Sequence, residues 1–138
     1  MTVVYDAGPL IAADRNDREM WAYHRRLLEH GRRPITTAPV IAQVSRTTRQ
    51  ALLHRLLDAC LTVGFEADDA RSVGELLTRS NTSDVVDAHV VLTAERHDAV
   101  VLTADSDDIA RLADHADAPV RHRQLGPDDH ADAGAGRL

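Results

Sequence analysis

The stretch VVLTAD at residues 100–105 predicts a β-strand that is buried on both faces and is followed by an aspartate. Its first four residues form a continuous apolar and β-branched run, which is typical of strands inside a parallel sheet. A similar run, TVVY at residues 2–5, is followed by Asp6. Two such strands at opposite ends of the sequence indicate an α/β fold built on a parallel sheet.

The segments between these two strands alternate between helical and extended patterns. Apolar residues recur at helical spacing, and Gly31, Pro34 and Pro39 mark where elements end or begin. The predicted helices cover about residues 17–30, 39–44, 52–60, 70–77, 85–94 and 109–112, and the other strands cover 35–38, 61–65 and 119–121. We therefore predict one domain at residues 1–123, with a short central parallel sheet in a three-layer α/β/α arrangement. Residues 124–138 contain too few apolar side chains to pack and are expected to form a disordered tail.

Composition indicates a soluble protein of one domain. The chain has 138 residues, of which 43% are hydrophobic and 28% are charged. No apolar run approaches the roughly 18 residues that a membrane span needs, and the start of the chain lacks the pattern of a signal peptide. Its single cysteine, Cys60, cannot form an internal disulfide. These features predict a cytoplasmic protein without a membrane partner.

The charged residues exclude some chemistries and leave one question open. All sixteen basic residues are arginine, so a P-loop lysine, a Schiff base and the lysine of a phospho-accepting receiver domain are excluded. Residues 15–57 carry nine arginines and three acids, whereas residues 66–117 carry thirteen acids and four arginines. This asymmetry is consistent with a phosphate-binding surface beside an acidic metal pocket, and equally with two ordinary solvated faces.

Four aspartates are candidates for one site. Asp6 and Asp105 follow two strands whose carboxyl ends meet at one edge of a parallel sheet, where ligands bind in such folds. Asp84 and Asp87 lie three residues apart before the apolar segment HVVLTA, so they share one face of a predicted helix. They either cap that helix at its free backbone amides or share a divalent ion with the other carboxylates.

The order and spacing of these segments resemble those of PIN domains, specifically the VapC-type toxin ribonucleases of bacterial toxin–antitoxin pairs. The likeness covers residues 1–123 and rests on VVYDAG, TAPVIAQVSR, DAHVVLTA and the Thr103-Ala104-Asp105 sequence. The resemblance implies that Asp6, Asp87 and Asp105 are catalytic metal ligands. The spacing of eighteen residues between Asp87 and Asp105 aligns Asp87 with the family's third acid, which leaves Asp84 as the cap.

Gln43 departs from the family pattern, because relatives normally carry a glutamate at this position. Glutamine offers a carbonyl oxygen to a metal but no charge. The chain is then an enzyme with a looser ion, an enzyme in which Asp84 or Glu75 compensates, or a catalytically degenerate PIN-like binding module. An active enzyme is the favoured interpretation, with Asp84 as the best substitute for the missing charge and with Asp84 and Gln43 as candidate further metal ligands.

The resemblance also implies the reaction and the partners. The expected activity is hydrolysis of RNA phosphodiesters, in transfer or ribosomal RNA, with magnesium or manganese as the cofactor. Thr103 and Asp107 are expected to support the metal ligands from the outer shell of the site. Arg46 and Arg49 are expected to hold RNA phosphates. Expected partners are a cognate antitoxin and a second copy of the chain in a homodimer. His89 is interpreted as a core residue, since the histidines show no zinc-ligand spacing.

Overall fold

The computed structural model describes residues 1–126 and contains a five-stranded parallel sheet. The strands lie in the order β3-β2-β1-β4-β5. Their bounds are β1 Thr2–Tyr5, β2 Ile35–Thr37, β3 Leu61–Val63, β4 Ala99–Thr103 and β5 Arg121–Gln124. The two strands that carry the strongest sequence pattern, β1 and β4, are neighbours at the centre, with Tyr5 opposite Leu102.

Seven helices in this part of the chain cover the two faces of the sheet. They are α1 Ala7–Asp14, α2 Arg18–Glu29, α3 Ala38–Val44, α4 Ala51–Asp58, α5 Ala67–Ser80, α6 Val85–His97 and α7 Ser106–Ala113. Helix α1 packs on β1 and β4 and also contacts α2, α3 and α4. Helix α6 packs on β1, β2 and β4 and also contacts α5 and α7. The predicted three-layer α/β/α architecture with a parallel sheet is confirmed. No helix within residues 1–126 is long and apolar enough to cross a membrane.

The core explains why the central elements have few polar positions. All five residues of β4 are buried, and β1 and α6 contribute further fully buried side chains, including Tyr5 and Val90. A strand with a helical layer on each face has no side exposed to water, so an alternating pattern would place polar groups in the core. The continuous apolar runs of the sequence are therefore a consequence of the two-sided packing.

The structure differs from the prediction in two elements. Helix α1 was not predicted, because Gly8 and Pro9 were interpreted as the end of the first strand. Proline is tolerated here because it lies in the first turn of α1, where its missing N–H would have no partner inside the helix. The last strand begins at Arg121 rather than Pro119 and includes Gln124. The rest of the expected tail, residues 127–138, lies outside the described residues.

The strand order places a topological switch point between β1 and β4. The chain leaves β1 toward β2 on one side and returns to β4 on the other, so the connections that follow the two strands diverge. Gly8 in α1 lies against Ala104, which follows β4: a Cβ atom on Gly8 would be 2.5 Å from the Ala104 Cβ. This close approach brings the segments that carry Asp6 and Asp105 together.

Candidate functional site

Thr103 links the two aspartates that follow the central strands. Its hydroxyl donates a hydrogen bond to Asp6 Oδ2 at 2.8 Å and accepts one from the Asp105 backbone N–H at 2.9 Å. Asp6 is also held by its backbone N–H, which donates to the Leu102 carbonyl at 3.0 Å. Since Thr103 is fully buried at the end of β4, one side chain orients both strand ends.

Asp6 is a buried carboxylate with one unsatisfied oxygen. Only 5% of the residue is exposed, and Oδ1 has no hydrogen-bond partner in the described residues. Burial raises the pKa of Asp6, while hydrogen bonds from the Ala7 amide and from Thr103 act in the opposite direction. A buried carboxylate oxygen without a donor is costly unless a cation or a proton compensates it.

Asp84 and Asp87 have different roles at the start of α6. Asp84 is the N-cap, and its Oδ1 accepts a hydrogen bond from the Asp87 backbone N–H at 2.9 Å. The pKa of Asp87 is raised to about 7, mainly by burial and in addition by the negative charges of four neighbouring aspartates, Asp6, Asp84, Asp108 and Asp105. The Asp87 side chain is therefore the point on which the negative charges converge.

Asp105 is paired with Asp108 at the start of α7. The hydrogen bond between their side chains is the main cause of a raised pKa of Asp105, followed by burial. Asp107 is exposed and acts on Asp105 through its charge, so it is Asp108 that the structure brings into contact with Asp105.

A cavity of about 250 Å³ opens beside this group of carboxylates. It lies between α7 and the segment that leads into α6. Its lining contains Asp84, Asp87, Asp108, Arg111, Leu112 and residues 81–83. The cavity therefore joins part of the acidic cluster, defined here as Asp6, Asp84, Asp87, Asp105 and Asp108, to a cationic and an apolar side chain.

The residues that follow β2 do not line this cavity. Gln43 is exposed on α3, and its side chain makes no hydrogen bond within residues 1–126. Arg46 and Arg49 are exposed on the next turn, which Gln50 holds by accepting hydrogen bonds from the Arg46 and Thr47 amides at 2.8 and 3.1 Å. These arginines are thus presented on an ordered turn.

Two of the expected positions lie apart from the cluster. Glu75 is exposed on α5 and is neither among the charges that act on Asp87 nor in the lining of the cavity. His89 is fully buried as predicted, with Nε2 3.7 Å from Asp69 Oδ2 and its ring packed edge-on against Phe65. Asp69 also forms a salt bridge with Arg96. These contacts fix α6 against α5.

Three residues that shape the site were not among the positions predicted from the sequence. Gly8 permits the close approach to Ala104, and Arg111 lines the cavity. Gln124 accepts a hydrogen bond from the Ser106 amide at 3.0 Å and donates one to the Ala104 carbonyl at 2.8 Å, so it holds the backbone on both sides of Asp105. The only local sequence signal for these residues was Gly8, which closely follows the strand-end Asp6. Gln124 was not considered because it lay in the expected tail.

The donor set suits a hard divalent cation. Carboxylate oxygens are the ligands that magnesium and manganese prefer, and the free Oδ1 of Asp6 is an oxygen that an ion would satisfy. Within residues 1–126, however, no three histidine, cysteine, aspartate or glutamate side chains are close enough together to form a ready metal cluster. The chemistry of the residues fits the ion, and the carboxylates would have to move closer to hold it.

A second cavity of about 740 Å³ lies away from these carboxylates, between α2 and α4. Trp21, Leu28 and Leu52 supply its apolar lining, and Arg18, Arg25 and Arg55 supply positive charge. Trp21 is also anchored by a hydrogen bond from Nε1 to the Ala13 carbonyl at 3.0 Å. This cavity combines apolar and positively charged side chains, as protein-binding surfaces do.

Comparison with known proteins identifies the family of this fold. A family model described as the PIN domain matches residues 3–115. The search of curated proteins found no match to this sequence.

Solved structures share the fold at low sequence identity. VapBC2 from Rickettsia felis, bound to a DNA fragment from their promoter, matches with a TM-score of 0.62 and 13% identity over 91% of this chain and 100% of the other. FitAcB from Neisseria gonorrhoeae matches with a TM-score of 0.61 and 14% identity over 86% of this chain and 96% of the other. A structure of FitAB bound to a DNA fragment has a TM-score of 0.58 and 13% identity.

Proposed function

The chain belongs to the PIN domain family, and from this we propose that it is a metal-dependent endoribonuclease that acts as the toxin of a toxin–antitoxin pair. The observation that carries the proposal is the convergence of carboxylates on Asp87, whose pKa is raised to about 7 by burial and by the neighbouring aspartates. Strongly perturbed acids gathered at a sheet switch point are typical of catalytic sites.

In this proposal Asp6, Asp87 and Asp105 hold magnesium or manganese, with Asp84 and Gln43 as further oxygen ligands. The bound ion would supply a hydroxide nucleophile and neutralise charge on the phosphate in hydrolysis of an RNA phosphodiester. Thr103 orients Asp6 and Asp105 through its hydroxyl. Asp107 and Asp108 add negative charge around Asp105 that strengthens cation binding.

Cleavage of total transfer RNA tests this function. We expect discrete fragments with magnesium or manganese, none with a chelator, and at least a 100-fold lower rate in Asp105→Asn. Asp105 is exposed, so this variant should fold normally and circular dichroism should match the parent protein. Absence of fragments with both ions, from protein shown to be free of any antitoxin, would reject the nuclease function.

A catalytically degenerate binding module is the second candidate, and Gln43 is the observation that favours it. The same assay distinguishes the two with Gln43→Glu, which restores the charge that relatives carry. If one missing charge limits metal binding, Gln43→Glu should raise manganese affinity about tenfold, as measured by calorimetry, and should increase or restore cleavage. An unchanged manganese affinity would mean that position 43 does not reach the ion.

Arg46 and Arg49 are proposed to hold RNA phosphates beside the site. Their exposure on the turn ordered by Gln50 supports this role. We expect the double change to methionine to weaken RNA binding and to reduce the slope of log affinity against log salt by about two. Arg18 and Arg25, changed together, provide a control of equal charge on another surface. Equal slopes for the two double variants would reject a specific role for Arg46 and Arg49.

The proposed partners follow from the same function. A cognate antitoxin would block the acidic cluster, and the chain would act in the cytoplasm as a homodimer. The cavity between α2 and α4 supports a protein partner, because it combines apolar side chains with three arginines. Trp21→Ala should therefore weaken antitoxin binding in a pull-down while leaving cleavage by the free toxin unchanged. Undiminished pull-down would exclude this surface.

A further inference from the structure

The cavity beside Asp87 contains a cationic side chain that the proposed hydrolysis does not use. Arg111 lies three residues after Asp108 on α7, the spacing that places two side chains on one face of a helix. Its guanidinium forms no salt bridge or hydrogen bond with any residue of the described range 1–126. An unpaired guanidinium in a cavity that carboxylates also line has five N–H donors available for a ligand.

The other walls of the cavity suit a flat, partly polar ligand. Leu112 supplies an apolar surface, and the polar residues 81–83 form another part of the lining. Asp84 and Asp108 supply hydrogen-bond acceptors, although Asp84 already uses Oδ1 to cap α6. The cavity thus combines a planar donor group, carboxylate acceptors and an apolar contact in about 250 Å³.

We propose that this cavity is a nucleobase subsite in which Arg111 binds an unpaired guanine next to the scissile phosphate. This inference rests on the proposed ribonuclease function. A phosphodiester held at Asp87 carries a nucleoside on each side, and Asp87 is itself part of the cavity wall. One of the two neighbouring bases therefore lies within reach of Arg111. Unpaired bases in loops are the usual targets of sequence-specific RNA recognition.

Guanine matches the donors and acceptors better than the other bases. Its O6 and N7 atoms are two acceptors on one edge, which arginine binds through two parallel hydrogen bonds. Its N1–H and N2–H₂ groups are two donors on the adjacent edge, which a carboxylate of Asp84 or Asp108 can accept together. Adenine places a donor beside N7, and cytosine offers an acceptor pair but only one donor group. Only guanine uses the arginine and a carboxylate fully.

Binding of short single-stranded RNA tests the subsite without cleavage. Fluorescence anisotropy with magnesium would compare oligouridines that carry one central guanine, adenine or cytosine, on the Asp105→Asn background. We expect the guanine oligonucleotide to bind about tenfold more tightly than the others. Arg111→Met should remove this preference, whereas Arg71→Met, which removes an exposed arginine on α5, should retain it. Replacing guanine with 7-deazaguanine should lower the affinity because the N7 acceptor is lost.

Two results would overturn the subsite and can be told apart from failure of the ribonuclease function. Equal weakening of all oligonucleotides by Arg111→Met would make Arg111 a phosphate contact. A guanine preference that survives in Arg111→Met would place base recognition elsewhere. Neither result affects the cleavage of transfer RNA by the parent protein. If the parent protein shows no metal-dependent cleavage of transfer RNA, the ribonuclease function on which the subsite rests is rejected instead.

Discussion

Asp87→Asn is expected to stabilise the metal-free protein at pH 8 by about 2 kcal/mol while reducing RNA cleavage at least 100-fold. The folded pKa of Asp87 is about 7, well above the ordinary value of an aspartate. Between about pH 4 and pH 7 the unfolded chain loses the proton that the folded chain keeps, so the free energy of unfolding falls as pH rises. Asparagine does not ionise, so the variant does not lose this part of its free energy of unfolding as pH rises. The full shift would correspond to about 4 kcal/mol, and the partial exposure of Asp87 reduces that figure by about half.

Urea unfolding of both proteins at several pH values, with a chelator present, measures this effect. The two free energies of unfolding should be similar at pH 4, should diverge up to about pH 7 and should differ by a constant amount above it. Asp114→Asn, which changes an exposed aspartate after α7, should leave the pH dependence unaltered. Parallel curves for Asp87→Asn and the parent protein would show that Asp87 does not bear the repulsion of the acidic cluster.

Gly8→Ala is expected to destabilise the protein by about 2–3 kcal/mol and to lower cleavage, although alanine favours helices over glycine. The new Cβ would lie 2.5 Å from the Ala104 Cβ and 2.9 Å from the Ala104 backbone N. Relief requires α1 to move away from the segment after β4, and that movement would separate Asp6 from Asp105. Steric overlap therefore outweighs the gain in helix propensity.

Gly74→Ala provides the matched control on α5. A Cβ at this position meets no atom within 4 Å, so alanine should stabilise the protein by about 0.5–1 kcal/mol. Thermal unfolding should thus give opposite signs for the two glycine-to-alanine changes. Ala104→Gly should restore part of the stability of Gly8→Ala in a double-mutant cycle, because it removes the nearer of the two clashing atoms. Equal stabilisation by both single changes would contradict the tight approach.

The predictions from the sequence agreed best with the structure for elements whose local sequence pattern reflects their burial. The continuous apolar runs predicted β1 and β4, because a strand covered on both faces admits few polar side chains. Asp84 was predicted as a cap, and its hydrogen bond to the Asp87 amide confirms this. Helix α1 was missed because Gly-Pro is a common end of a strand and is equally compatible with the first turn of a helix.

The sequence by itself determined the α/β class, the parallel sheet and the presence of Asp6 and Asp105 after its central strands. These features follow from periodicity and capping, which act between residues close together along the chain. Only the tertiary structure decided that Thr103 bonds Asp6, that Asp108 rather than Asp107 contacts Asp105, and that Arg111 lines the cavity beside Asp87. Contacts between side chains from distant segments depend on how the helices pack on the sheet, and that packing leaves no local pattern in the sequence.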